Sequence, residues 1–218
     1  MENRILWEYL EELPEQETVW HDWSRRLSGW YFFNTFYTHY LKIKDKRAKL
    51  LECTTPCEHN CPRRILDKSP SDITAVCPLD ESAPIKLTFK DTLIYFLRLE
   101  TLHQALCVSL QIEYPSGIKL PEYDSVWHLG DYSGTEVYIT YRTAILPDTI
   151  SSLYLLHQKP FILIVPTMKN VTPEIQKFID KNDFVLLSIQ DELRLQPDGS
   201  FKPKRSISEC MNLVIKAK

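Results

Sequence analysis

Two short, largely apolar runs in the second half of the chain constrain its fold most. Phe161 to Val165 reads FILIV, a continuous apolar run, and Phe184 to Ile189 reads FVLLSI; runs of this kind are typical of strands buried on both faces. Between them, Thr172-Pro173-Glu174 is a strong helix start, with a capping threonine, a proline in the first turn and an early acid. The pattern therefore predicts two neighbouring parallel strands joined by a helix that ends at about residue 182.

The sequence before these runs predicts further strands of the same sheet. Val126 to Leu129 and Val137 to Tyr141 have strand character, and Asp131-Tyr132-Ser133-Gly134 reads as the turn between them. A helix is expected from about Asp148 to His157, after Pro147. The order strand, helix, strand, helix, strand predicts a short, mainly parallel βαβαβ sheet with right-handed crossovers.

The N-terminal part of the chain predicts helices. A first helix is expected from Arg4 to Leu13, ending before Pro14. From Thr18 to Leu41, aromatic and aliphatic residues recur mostly three or four positions apart, with a break expected at Gly29. Such an aromatic stripe is more typical of a core or a partner interface than of a surface that stacks on bases.

The stretch that precedes the sheet is also predicted to be largely helical. Ile85 to Phe89 alternates apolar and polar residues, which predicts a short strand or its end. Asp91 to Leu110 is expected to form a helix, either continuous or broken near Arg98. Thr88 and Asp91 have the spacing of a capping box.

These patterns together predict an α/β protein with four segments. The chain has 218 residues, of which 44% are hydrophobic and 11% aromatic, so it has enough apolar residues to fold around a core rather than remain disordered. The predicted segments are a helical aromatic-rich region at 1–50, a cysteine-rich zinc-ribbon-like hairpin at 51–84, a helical connector at 85–123 and an α/β domain at 124–218.

A cysteine cluster is the most chemically specific feature. Cys53, Cys57 and Cys61 are each separated by three residues, and Cys77 follows after fifteen more. Zinc takes four soft ligands in a tetrahedron, and closely spaced cysteines let one turn supply two thiolates. Predicted strands at 63–66 and 73–76 form a hairpin that returns Cys77 beside Cys61. The sequence thus predicts a structural zinc site, with the metal supporting a hairpin too small to have its own core.

Other interpretations of the cluster remain open. His59 is an alternative ligand in place of Cys53 or Cys57. An iron–sulfur cluster is a weaker hypothesis because the spacing fits no usual cluster motif. Ordinary thiols are also a weaker hypothesis, because four of the six cysteines lie close together and flank a predicted hairpin. Cys107 and Cys210 lie in predicted helices and are expected in the core.

Sequence motifs for catalysis are missing, so no catalytic residue is assigned. The chain has no GxGxxG or GxSxG motif and no HExxH motif. Asp131, Glu136 and Asp148 are candidate magnesium ligands of a nuclease, but Asp131 fits a turn and Asp148 a helix cap better. The histidines are scattered. His103 and His157 lie in predicted helices, and His128 has no evident partner.

A run of basic residues flanks the first cysteines and suggests contacts to phosphates. The net charge of -3 argues against a wholly cationic surface, and the acidic first helix favours a protein partner at least as much as a nucleic acid. The candidate nucleic-acid-binding residues are Lys42, Lys44, Lys46, Arg47, Lys49, Arg63 and Arg64.

The sequence as a whole predicts a non-enzymatic, zinc-binding regulatory or adaptor protein that acts through a protein or nucleic-acid partner. The alternatives are a small-ligand sensor at the carboxyl end of the C-terminal sheet, near Tyr141, Thr167 and Gln190, or an enzyme with an unrecognised active site. A cytoplasmic, non-membrane location is expected, because the N-terminus lacks the features of a secretory signal and the apolar runs are far shorter than the ~20 residues that span a bilayer.

Overall fold

The computed structural model describes residues 4–12, 17–53, 61–79, 84–113, 118–120, 125–205 and 209. Helices and sheets are mixed throughout these residues, which confirms the predicted α/β class. In chain order the elements are α1 (Arg4–Glu12), β1 (Glu17–Val19), α2 (Trp20–Leu27), α3 (Phe33–Tyr40), β2 (Leu41–Arg47), β3 (Leu50–Leu51), β4 (Arg63–Ser69), β5 (Asp72–Val76), β6 (Ile85–Leu87), β7 (Leu93–Leu97), α4 (Leu99–Leu110), β8 (Ile118–Lys119), β9 (Val126–Tyr132), β10 (Thr135–Thr140), α5 (Leu146–His157), β11 (Ile162–Val165), α6 (Pro173–Lys181), β12 (Val185–Ser188), α7 (Ile189–Glu192), β13 (Leu193–Leu195) and β14 (Phe201–Pro203).

A five-stranded sheet in the order β12-β11-β10-β9-β8 forms the centre of the C-terminal half. β10, β11 and β12 run parallel, with α5 and α6 as their connections, and Leu163 pairs with Tyr138 on one side and Leu186 on the other. The predicted parallel pairing of the two apolar runs is therefore confirmed. β9 and β10 are joined by a two-residue turn in which Ser133 and Gly134 both have positive φ, the geometry that suits a tight hairpin.

Both faces of this sheet are covered, which explains why its strands are apolar without alternation. Tyr138, Leu163 and Val165 pack on one side with residues of α5 and α6. Ile162 and Ile164 point the other way and join a larger core with α1, α3 and α4. The sheet is thus the middle layer of a three-layer α/β arrangement.

The aromatic stripe of the N-terminal region lies mainly in this larger core. Trp23, Trp30 and Phe36 are buried, and the rings of Trp20 and Phe33 stack with centroids 5.5 Å apart. The expected break near Gly29 separates α2 from α3. Truncating a buried aromatic residue of this kind to alanine typically costs about 3–5 kcal/mol, so the stripe stabilises the fold.

The predicted helix over residues 91–110 is wrong in its first part. Residues 93–97 form β7, the central strand of a three-stranded antiparallel sheet in the order β1-β7-β2. The helix begins only at Leu99, after the predicted break near Arg98. Thr88 and Asp91 do form reciprocal hydrogen bonds, with Thr88 N donating to Asp91 Oδ2 at 2.7 Å. These bonds precede a short 3-10 turn, Lys90–Thr92, rather than a long helix.

The cysteine-rich segment forms a four-stranded antiparallel sheet in the order β3-β4-β5-β6, here called the cysteine-bearing sheet. The strands predicted at 63–66 and 73–76 lie within β4 and β5 and pair with each other. Its apolar cluster is separate from the larger cores and contains the buried residues Val19, Leu51, Ile73, Ala75 and Leu87.

Beyond residue 205, the structure describes only Glu209. Among the helices that the structure describes, none is both long and apolar enough to cross a membrane.

Candidate functional site

Strand register brings three of the predicted zinc ligands to one end of the cysteine-bearing sheet. Leu51 pairs with Arg63 in the β3–β4 ladder, and continuing this antiparallel register by two residues sets Cys53 opposite Cys61. In the β4–β5 ladder, Arg64 pairs with Val76, so the next pair is Arg63 with Cys77. The three cysteines therefore follow β3, precede β4 and follow β5 at the same end of the sheet.

The same register assigns these cysteines to one face. Leu51, Arg63 and Cys77 are all buried, and they are cross-strand neighbours on the inner face. Cys53 and Cys61 each lie two residues from a member of this set, and side chains two apart in an extended chain point to the same side. Both are half-buried. The register therefore places the three cysteines at the same end of the sheet.

The metal itself stays a prediction. Within the described residues, no three His, Cys, Asp or Glu side chains form a group that could hold a metal ion. Cys57, the fourth predicted ligand, and His59, its alternative, lie outside those residues.

Cys107 differs from the clustered cysteines. It is buried on α4, with its Sγ atom 4.0 Å from the carbonyl oxygen of Leu129. Burial raises the pKa of the Cys107 thiol to about 12, so it stays protonated and unreactive. The prediction that Cys107 is a core residue is confirmed, whereas Cys210 lies outside the described residues.

The seven predicted basic contacts divide into three groups. Lys44 and Arg47 form ion pairs, Lys44 with Glu17 at 2.8 Å and Arg47 with Asp67. Arg63 is only 3% exposed, so it cannot reach a phosphate on the surface without rearrangement. The remaining residues are exposed and make no ion pair within the described part of the chain: Lys42, Lys46, Lys49 and Arg64.

The chain itself fills part of the crevice predicted for a small ligand at the carboxyl ends of the parallel strands. Glu11, at the end of α1, accepts hydrogen bonds from the backbone N–H and the hydroxyl of Thr167, at 2.9 and 2.8 Å. Burial raises the pKa of Glu11. Beside it, Asn170 Nδ2 donates to Thr143 Oγ1 at 2.7 Å. These polar groups at the end of β11 are therefore paired within the chain, and the ligand sensor stays a prediction.

The structure also assembles a cluster that the sequence did not predict. The Tyr138 hydroxyl donates to Glu136 and lies 2.8 Å from His157 Nε2. His128 Nε2 lies 3.7 Å from the same Glu136 carboxylate. Burial and the neighbouring carboxylate raise the pKa of Tyr138, so the phenol stays protonated and acts as a hydrogen-bond donor. This cluster ties β9 and β10 to the last residue of α5, which is a structural role.

His103, on α4, is buried. Its ring stacks on Tyr141 with centroids 6.0 Å apart and meets Trp127 edge-on. Burial lowers the pKa of His103 to about 4, so the ring is neutral at physiological pH. An uncharged imidazole between two aromatic rings contributes to packing rather than to chemistry.

Comparison of this chain with protein-family models, curated proteins and solved structures gives no significant match. The functional assignment therefore depends on the residues and geometry described above.

Proposed function

We propose that the protein is a non-enzymatic zinc-binding adaptor or regulator, in which zinc stabilises the cysteine-bearing sheet and the protein acts through a macromolecular partner. The observation that carries this proposal is the register that brings Cys53, Cys61 and Cys77 to the same end of the sheet. Zinc prefers four ligands in a tetrahedron, and Cys57, which lies between Cys53 and Cys61 in the sequence, is the candidate fourth ligand.

The size of the sheet's apolar cluster supports a metal. Its five buried residues include alanine and lack any aromatic side chain, so burial stabilises this sheet far less than it stabilises the three-layer region. Small structural units with too little core are commonly held by a metal whose coordination free energy becomes folding free energy.

The charge beside the cysteines also supports a metal. A zinc ion bound by four thiolates carries net negative charge, and burying that charge is costly unless a cation lies close by. Arg63 is buried and occupies the register position opposite Cys77. A guanidinium at this position would donate hydrogen bonds to thiolate sulfur and offset the negative charge.

The metal is tested by elemental analysis of protein purified under reducing, chelator-free conditions. We expect close to one zinc per chain, and we expect Cys77→Ser to lose it. Cys107→Ser is the matched control, because that cysteine is buried in a different core and should leave the zinc content unchanged. Wild-type protein without metal would contradict the proposal.

The exposed basic residues indicate the kind of partner. Lys42 and Lys46 extend from β2, the edge strand next to the cysteine-bearing sheet, and Lys49 and Arg64 lie on that sheet's first two strands or beside them. These cations fit an anionic surface, either nucleic acid or an acidic protein. Contacts to phosphates release counterions, which makes nucleic-acid binding fall steeply with salt.

Titration of labelled DNA and RNA, duplex and single-stranded, at two salt concentrations distinguishes a nucleic-acid partner from a protein partner. If nucleic acid is the partner, replacing Lys42, Lys46 and Lys49 with alanine should weaken binding and flatten its salt dependence. Lys44→Ala is the control, because Lys44 already pairs with Glu17. No binding at low salt, with zinc in place, would point to a protein partner.

A further inference from the structure

The short hairpin formed by β13 and β14 carries two positive charges directly across from each other. Arg194 and Lys202 occupy paired positions on its two strands, and both side chains are exposed. Like charges at such positions repel each other and destabilise the strand pairing. Each strand has only three residues, so this repulsion lies at the centre of the hairpin. An anion bound between the two side chains would replace the repulsion by attraction.

The same cations line a groove on the surface. The groove has a volume of about 370 Å³, which is within the range of small-ligand sites. Lys204 donates a hydrogen bond from its Nζ to the carbonyl oxygen of Gln190 at 2.6 Å, which restrains the amine. The lining residues are Arg194, Gln196, Lys202, Pro203 and Lys204. Three of these five are cationic, and none is acidic or aromatic.

The acidic residues of the adjoining turn and helix do not neutralise this charge. Glu192 pairs with Arg205, whose Nε donates to the carboxylate at 2.6 Å. Asp198 accepts hydrogen bonds within the turn, from the backbone N–H and the hydroxyl of Ser200 at 2.9 and 2.7 Å. Asp191 is exposed on α7 but does not line the groove. The groove is therefore a positively charged surface without a carboxylate in its lining.

The inner face of the hairpin is anchored to the larger core. The ring of Phe201 lies 6.0 Å from the ring of Trp7 and 5.6 Å from that of Tyr40, measured between centroids. The Tyr40 hydroxyl also donates a hydrogen bond to the carbonyl oxygen of Gly199 in the turn. These contacts hold the two strands in place, so the cations on the outer face are positioned before any ligand arrives.

We propose that this groove binds a small ligand that presents two adjacent phosphate groups, with pyrophosphate as the simplest example. A guanidinium donates two parallel hydrogen bonds to phosphate oxygens, and an ammonium supplies a compact positive charge. Each phosphate group carries about 1.5 to 2 negative charges at neutral pH, so two of them balance three cations better than one does. Because no aromatic residue lines the groove, recognition rests on the phosphates rather than on stacking with a ring.

Calorimetric titration of the full-length protein with pyrophosphate at low ionic strength tests the site. Wild-type protein should bind one pyrophosphate per chain with saturable heat. Arg194→Glu should weaken binding at least about tenfold, and it sets an opposite charge across from Lys202, which favours the hairpin. An unchanged thermal midpoint would exclude unfolding as the cause of the loss. Lys177→Glu is the matched control, because it makes the same charge change at an exposed position on α6 and should leave binding unchanged.

No saturable heat from wild-type protein, or an Arg194→Glu variant that binds as tightly as wild type, would overturn the proposal. Inorganic phosphate should bind at least about tenfold more weakly than pyrophosphate, and equal affinities would refute the need for two phosphates. Labelled DNA and RNA form a third arm. If either is displaced from wild-type protein by pyrophosphate and is no longer bound by Arg194→Glu, the groove is a nucleic-acid site and the small-ligand proposal is wrong. The zinc content does not affect these outcomes, because the groove lies on a different hairpin from the cysteines.

Discussion

The three-layer region and the cysteine-bearing sheet reach stability in different ways. The large sheet is covered on both faces, and its cores contain fully buried aromatic residues such as Trp23, Tyr138 and Phe161. The cysteine-bearing sheet shields one small cluster around Ile73 and Leu87 and exposes much of its other face. Burial of large side chains stabilises the first region, whereas the second has only a small apolar cluster, and this difference is the reason for proposing zinc there.

An aspartate placed in each core should show the difference in stability between the two regions most clearly. Leu163→Asp places an unpaired carboxylate in the central parallel strand β11, and we expect a loss of at least about 4 kcal/mol and unfolding of the whole three-layer region. Ile73→Asp should unfold only the cysteine-bearing sheet. Hydrogen exchange of β4, β5, β11 and β12 distinguishes the two variants. If Ile73→Asp destabilised β11 as much as β4, the two regions would form one cooperative unit.

Lowering the pH should reduce the folding stability of the three-layer region, because His103 is buried there in its neutral form. The unfolded chain takes up this proton near pH 6.5 and the folded chain only near pH 4, so between these values the unfolded state binds more protons. Stability therefore falls as the pH falls through this window, by up to about 3 kcal/mol. His103→Phe keeps an aromatic ring between Tyr141 and Trp127 and should reduce the slope of stability against pH.

Denaturant titrations of wild-type protein and His103→Phe at several pH values between 4 and 6.5 measure this effect. Glu11, whose pKa is raised by burial, acts in the opposite direction in both proteins, so the difference between their slopes isolates His103. Equal slopes would show that the ring is accessible to protons in the folded state.

The smallest effect is expected at the start of α6, in the outermost layer. The hydroxyl of Thr172 accepts a hydrogen bond from the backbone N–H of Ile175 at 3.3 Å, and losing such a cap costs about 1 kcal/mol. Thr172→Ala should lower the denaturant midpoint modestly, while Thr172→Ser should preserve the cap. A Thr172→Ser variant as unstable as Thr172→Ala would assign the effect to the lost methyl group instead.

The elements that the sequence predicted well are those with a local signal. The runs at 161–165 and 184–189 predict buried strands because they are almost entirely apolar, and Thr172-Pro173-Glu174 predicts the start of the helix between them. β7 was missed because its strand identity depends on partners far away in sequence, β1 and β2. Without those partners, the residues from 91 onward read as the start of the following helix.

In the candidate sites, too, some features follow from local sequence and others depend on residues far away in the chain. The return of Cys77 toward Cys61 follows from a hairpin visible in the sequence, but the position of Cys53 at the same end depends on the two-residue strand β3, which has no recognisable pattern. The cluster of His128, Glu136 and His157 depends on a register shift in β10 between Val137 and Tyr138 and on where α5 ends. Neither can be deduced from residue spacing alone.

The position of β7 between β1 and β2 has a consequence for how the protein is made. During synthesis the chain emerges from its N-terminus, so β1 and β2 are complete long before residues 93–97 leave the ribosome. Until then, the two strands lack the partner that both of them require, and the aromatic side chains of α2 and α3 have no sheet to pack against. We therefore expect nascent chains shorter than about one hundred residues to be the stage at which this protein depends most on chaperones.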